Sequence, residues 1–370
     1  MKRARVATLK LGLAMALLSA GSLHAAELRY GSSQPAVNAV YKNAVTPFIE
    51  RVEEQSDLSI RAYPGGQLAS AKGALDSLRD GTADASLLIP LWTPSELPYI
   101  NGLMQVLFTG DDPMVVTAAI AETVLLHCPP CREEMLENGA ISLAPYSTSP
   151  YYLQCNKAIG SSDDLKGTRA RVVGGGQTRL LEELGATRVI VTAPEIAEAL
   201  TRNRIDCAVA PLSWLQSYSL GDGVKTIVDQ PIGTARGMEA FAVRKESWDR
   251  LSDAEQQAVV KNLPALLADI IARGFAEEDR AAIAFAKDHG ISFVEPDATF
   301  TTAVDTVRQN EREIVMAEAQ RRGLHDFESI LDSHIASVEK WQALRDEIGD
   351  DTERFNATLW DEIYSKIDLD

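Results

Sequence analysis

The stretch Ser161 to Asp206, SSDDLKGTRARVVGGGQTRLLEELGATRVIVTAPEIAEALTRNRID, does most to limit what this chain can become. It reads as a short apolar strand carrying arginine, three glycines, an amphipathic helix, a second strand and a second helix. Strand and helix periods that alternate over so short a span argue for parallel strands covered by helices, an α/β fold. The N-terminal part alternates in the same way, with strands over Leu28–Ser32, Leu58–Tyr63 and Ala83–Ile89 and helices over Ala36–Gln55 and Ser70–Asp80. A second series runs from Ile141 to Val209, and Gly237–Val243 reads as a strand returning to the first. From Ser252 the pattern is helical: Asp253–Ala286 with a bend expected at Pro264, then Asp305–Arg322, Asp326–Glu347 and Thr352–Ile367.

Period two places Arg169 and Arg171 on one face of the strand Thr168–Val173. A guanidinium there is either a planar, bidentate anchor for a carboxylate or a surface charge paired with Asp163 or Asp164. Gly174, Gly175 and Gly176 are expected to take positive φ and bring the backbone close to a ligand, before a helix over Gln177–Leu184 that Gly185 ends. The run is neither GxGxxG nor GxxxxGK[ST], so it signals neither a dinucleotide nor a nucleoside triphosphate.

Lys2, Arg3, Arg5 and Lys10 precede an apolar run, Leu11 to Leu23, with Ala25 and Ala26 behind it, so residues 1–25 read as a signal peptide. The run is too short to span a bilayer comfortably, and no stable membrane insertion is expected. The formal charge of −17, less the four leader cations, becomes −21, which disfavours a nucleic-acid partner. About 345 residues remain after cleavage, enough for two domains.

Export places the 4 cysteines in an oxidising compartment. Cys128-Pro129-Pro130-Cys131 is a CxxC, open to three readings: a thioredoxin-like redox pair, a structural disulfide or inert thiols, and a zinc site with His127. It follows a helical pattern over Pro113–His127 rather than a strand, which argues against redox work. The 5 histidines, at 24, 127, 289, 325 and 334, make no HExxH or comparable spacing, so neither an enzyme nor a metal or cofactor is expected.

The segment Asp164-Leu165-Lys166-Gly167-Thr168-Arg169-Ala170-Arg171 resembles the DLKGLKIR element of the DctP family, the periplasmic solute receptors of TRAP transporters. Leu184-Gly185-Ala186, Pro194-Glu195, Ala199-Leu200 and Ile205-Asp206 resemble the LGA, PxE, AL and GxVD elements that follow in that family. Upstream, Tyr63-Pro64-Gly65-Gly66-Gln67-Leu68 and Gly81-Thr82-Ala83-Asp84 resemble YPxxQLG and DGxxD. Downstream, Trp248-Asp249-Arg250-Leu251-Ser252 with Glu255-Gln256 is similar to WxxLSxxxQ. Each motif is soft, but their order over nearly the whole mature chain is specific.

The resemblance implies a two-lobed periplasmic binding protein fold (type II-like), each lobe a mixed sheet flanked by helices, with a long domain-spanning helix and extra C-terminal helices. Residues 27–148 with 237–276 would form the first lobe, 149–236 with 277–335 the second, and 336–370 helices packed on the lobes. It implies a receptor that closes by hinge bending on an organic acid and delivers it to a TRAP membrane permease. The alternatives are a ligand-sensing protein feeding a signalling receptor, or an ABC-type solute receptor. The resemblance picks Arg171 over Arg169 as anchor. By the same alignment Tyr151 falls where many relatives carry a second arginine, Ala210 near a position that often holds a ligand-binding Asn, and Trp92, Trp214 and Ser33 near the cleft. Those residues suggest a monocarboxylate with an apolar or aromatic body more than a dicarboxylate. Asp206 and Glu195 are read as capping or supporting groups. Cys155 and Cys207 would lie on neighbouring strands of the second lobe, either as a disulfide or as two buried thiols.

Overall fold

A computed structural model describes residues 26–172 and 174–367; the leader and Val173 lie outside the described residues. Two mixed sheets organise it. The first contains β1 (Glu27–Gly31), β2 (Ser59–Tyr63), β3 (Ala85–Leu88), β4 (Ala140–Ser142), β5 (Pro145–Ser147) and β11 (Arg236–Arg244) in the order β2-β1-β3-β11-β4, with β5 also paired to β11. The second contains β6 (Tyr151–Cys155), β7 (Arg169–Arg171), β8 (Thr187–Val189), β9 (Cys207–Pro211), β10 (Thr226–Val228) and β12 (Ser292–Val294) in the order β12-β10-β6-β9-β7-β8. Each sheet is parallel where helices connect its strands, as β1 with β2 and β7 with β9, and antiparallel at the strands that cross between sheets.

Those crossings form the hinge. The chain passes from β5 to β6 through residues 148–150 and returns from β10 to β11 through 229–235. The two passages bond to each other, Thr148 N to Ala235 O (2.8 Å), Tyr151 N to Gly233 O (2.8 Å) and Ile232 N to Tyr151 O (2.8 Å). Gly233 has φ +90, and a Cβ there would stand 2.8 Å from the Leu107 carbonyl, so the hinge needs glycine. A third connection is the long helical run from Asp253 to Asp288, which passes Pro264 and contains a π-helical stretch, Ile270–Ala276.

Two expectations need correction. The helix expected over 305–322 is split into Ala298–Gln309 and Glu311–Arg321, a break that lets Glu311 accept from Leu107 N, Phe108 N and Thr109 Oγ1. Residues 311–335, assigned from the sequence to the second lobe, pack on the first: Val315, Ala319, Phe327, Ile330 and Leu331 share a core with Leu103, Ile120 and Val124. Apolar faces on Glu311–Arg321 and Phe327–Ile348 find their partner there, and sequence order alone did not indicate which lobe would supply it. No single helix among the described residues is long and apolar enough to cross a membrane.

All four cysteines are bridged. Cys128 caps the helix Pro129–Glu137 and bonds to Cys131, so this CxxC does open a helix; both are buried, and the disulfide leaves no thiols for zinc. Cys155 and Cys207 are direct cross-strand partners on β6 and β9, bridged with a Cα separation of 4.0 Å. Closing a loop with a sequence separation of 52 should stabilise the fold by about 4 kcal/mol on the chain-entropy model. Cys155→Ser/Cys207→Ser is expected to lower the free energy of denaturant unfolding by about 2–4 kcal/mol.

The first lobe also hides an acid. Glu239 is fully buried on β11 and accepts from Ser142 Oγ (2.6 Å) through Oε1; beyond the Ala144 backbone that also favours its charge, Oε2 has no close partner among the described residues. Desolvation pushes it up to about 8 from 4.5, so the folded state keeps a proton that the unfolded chain releases between these values. Stability is therefore full below pH 4.5 and falls as the pH rises towards 8, by about 1.4 kcal/mol per unit at most. Unfolding titrations at pH 5 and pH 8 should show Glu239→Gln losing less stability over this range than the wild type; parallel losses would contradict the burial of a protonated carboxyl.

Candidate ligand-binding site

A cavity of about 50 Å³ lies between the lobes, several times the room one water needs. The first lobe lines it with Ser33, Gln34, Asn38 and Trp92, the second with Arg171, Ser213, Trp214 and Tyr218. The hinge contributes Tyr146, Thr148, Tyr151 and Met238, and the long helical run adds Gly274 and Phe275.

Arg171 is the single charged side chain among the described lining residues. It ends β7, between β8 and β9, and is 4% exposed. Its Nε donates to Val191 O (3.1 Å) and its Nη1 to Val209 O (2.9 Å), so carbonyls just past β8 and within β9 fix the guanidinium plane. The Trp214 ring lies 5.6 Å from its Cζ, and Trp214 contacts Tyr151 and Tyr218 at centroid distances of 6.0 and 4.9 Å. Burial lowers its pKa, while Tyr151 and Tyr218 act in the opposite sense; a guanidinium keeps its charge all the same. No carboxylate among the described residues lies within ion-pair distance of it.

Arg169, two residues earlier, points elsewhere. It pairs with Asp206 (Nε to Oδ2, 3.0 Å), donates to Asn203 O, and is half-exposed. Asp163 holds Lys166, and Asp164 accepts from Gly160 N and Ser161 N, so neither meets Arg171. Glu195 closes a capping box with Thr192 beside the lining residues Ala193 and Pro194.

Of the residues singled out in the sequence, Arg171, Tyr151, Trp92, Trp214 and Ser33 share this cavity, and Ala210 does not line it. Ala210 is fully buried on the other face of β9 with Leu212, Leu215 and Ile227, and its carbonyl accepts from Gln154 Nε2 (3.0 Å). Alternation along β9 turns its Cβ away. The glycine run is corrected as well. None of Gly174, Gly175 and Gly176 has positive φ, and none lines the cavity. Added Cβ atoms would stand 2.9 Å from Leu107 Cδ1 at Gly174 and 2.8 Å from Gln105 Oε1 at Gly175. The glycines thus let the helix Gly175–Glu183 close onto the first lobe, where Gln105 Oε1 accepts from Gly175 N (2.8 Å).

Sequence reasoning missed Gln34, Asn38, Tyr146, Thr148, Tyr218 and Phe275. Tyr218 carried a signal, standing four residues after Trp214; Phe275 reaches the site through the long helical run, a contact without local pattern. Gly274 brings that run against Val40, itself a lining residue; a Cβ there would lie 3.0 Å from Val40 Cγ2 and 3.2 Å from its Cα.

A family model described as bacterial extracellular solute-binding protein, family 7 (DctP), matches residues 30–315. The chain belongs to this family. It is a family of solute-binding receptors rather than a class of enzymes. Solved structures agree in fold. A TRAP solute binding protein from Rhodoferax ferrireducens in complex with copurified benzoate is 21% identical, with TM-score 0.74, covering 86% of this chain and 99% of that one. A TRAP periplasmic solute binding protein from Bordetella bronchiseptica with bound (R)- and (S)-mandelate is 22% identical, with TM-score 0.73, covering 85% and 99%. A marine metagenome TRAP solute binding protein specific for aromatic acid ligands, in complex with metahydroxyphenylacetate, is 23% identical, with TM-score 0.71, covering 85% and 99%.

Gly274→Ala in this DctP-family chain should force Val40, a lining residue, to shift by a few tenths of an ångström, costing about 1–3 kcal/mol of stability and changing ligand affinity as well. Thermal melts with and without ligand check both effects.

Proposed function

We propose that this protein is a periplasmic receptor that captures a monocarboxylate with an aromatic or largely apolar body and delivers it to a TRAP membrane permease. The observation that carries the reading is Arg171, a buried cation on the cavity wall with carbonyl partners and no carboxylate among the described residues. A charge held out of water costs free energy unless an anion meets it, and a ligand carboxylate fits a guanidinium bidentately. A dicarboxylate is disfavoured, because the described lining offers no second cation. Trp92, Tyr151, Trp214, Tyr218 and Phe275 suit a flat or apolar body. Relatives of the same fold bind benzoate, mandelate and metahydroxyphenylacetate, which are all monocarboxylates with a ring.

Binding and delivery follow from differential contact. A ligand touching Arg171 on one lobe and the Ser33–Asn38 loop on the other is held fully only when the lobes are closed, so it shifts the hinge equilibrium towards the closed form. Docking of that form on the permease would then couple occupancy to transport. A ~µM affinity corresponds to about −8 kcal/mol, and breaking a desolvated Arg-carboxylate pair costs roughly 3–5 kcal/mol, so the pair is a major part of the whole.

Calorimetric titration of the mature protein with benzoate and phenylacetate tests the reading. Arg171→Ala should weaken binding at least a hundredfold while leaving a folded protein, and Arg171→Lys should recover little of it. Arg169→Ala should cost no more than about 1 kcal/mol of stability and leave affinity unchanged. Undiminished affinity in folded Arg171→Ala would rule out the assignment.

A further inference from the structure

The first-lobe side of the cavity contains a polar group with nothing to bond to. Gln34 is 8% exposed and lines the cavity, yet its Oε1 has no hydrogen-bond partner among the described residues. Its backbone is pinned, the N–H donating to Ser32 Oγ (3.1 Å) and the carbonyl accepting from Gly65 N (2.7 Å), so the side chain is set towards the cavity and not drawn into the loop. Two other acceptors on the cavity wall are already engaged. Asn38 Oδ1 accepts from Val40 N and Tyr41 N, and Thr148 Oγ1 bonds with Ala235. A buried carboxamide left unmet costs free energy, and here only a ligand in the cavity, or water in its place, can meet it.

We infer that Gln34 is a specificity-determining residue, and that the ligand is a hydroxylated monocarboxylic acid whose hydroxyl bonds the Gln34 carboxamide while its carboxylate meets Arg171. The inference rests on the carboxylate reading of Arg171. A hydroxyl both donates and accepts, so it satisfies the carboxamide with either its oxygen or its nitrogen turned inward. A second carboxylate would meet the same carboxamide but find no cation, since Arg171 is the one charge among the described lining residues. An acid with only hydrocarbon beyond its carboxylate would bury the amide unpaired. Sites built to bond a hydroxyl discriminate strongly against analogues that lack it.

The test is calorimetric titration of the mature protein with phenylacetate and with its 2-, 3- and 4-hydroxy ring derivatives and mandelate. The wild type should bind at least one hydroxy acid about tenfold to a hundredfold more tightly than phenylacetate. In Gln34→Leu that ratio should collapse towards one, with Gln34→Met as a second isosteric probe and melting curves showing that both variants fold. A wild type that binds these acids without preferring any hydroxy form overturns the role of Gln34 and leaves the carboxylate reading standing, as does a preference that survives in both variants. A wild type that binds none of these acids, nor benzoate, fails the aromatic form of the carboxylate reading, and the role of Gln34 falls with it.

Discussion

A buried guanidinium bonded to one carbonyl within its own sheet and one just past it, with no carboxylate beside it among the described residues, sets the terms for this cavity. Arg171 keeps its charge in a place where charge is costly, and the strands around it serve to hold it there. The Cys155–Cys207 bridge locks β6 to β9, the pair that presents Tyr151 at one end and the Val209 carbonyl within it. The acceptor for Arg171 thus stands two residues from the bridge, on a strand whose register the bridge pins.

Arg236 shows why burial alone does not make a site. It too is fully buried and lacks a carboxylate partner among the described residues, and its pKa falls to about 10 through desolvation. Its two terminal nitrogens, however, are engaged by Thr109 O, Thr234 Oγ1 and His334 Nε2, and the imidazole is held neutral, near 3, by burial and by the cation. His334 passes the bond on to Thr123, so Arg236 ties the return strand of the hinge to the helices of the first lobe. It does not line the cavity between the lobes. One buried arginine is structural and the other is open to a ligand, and the difference lies in what faces the free edge of the guanidinium.

The hinge and the cavity share their parts. Thr148 belongs to one crossing passage, Tyr146 and Tyr151 lie on the strands that flank it, and all three line the cavity, while the π-helical stretch Ile270–Ala276 brings Gly274 and Phe275 to its wall. π-helical turns often occur at functional sites, where one extra residue per turn redirects side chains. Ligand contact and lobe movement therefore act on the same residues, which is what a receptor needs if occupancy is to control closure.

Much of this was legible in the sequence, because local periodicity and order carry it. The alternating strands and helices, the return strand and the long helical run all follow from patterns of period two and 3.6. Ordered motifs along the chain pointed to the family and, through it, to Arg171. What the sequence could not decide was which face of a strand meets which space. Ala210 turned away from the cavity because β9 buries both faces and alternation alone does not say which is inside. The three glycines proved to serve contact with Gln105 and Leu107, partners some 70 residues away whose approach no local pattern records. Arg169 and Arg171 are equivalent by spacing, and only the tertiary structure gave Asp206 to the first and the cavity to the second.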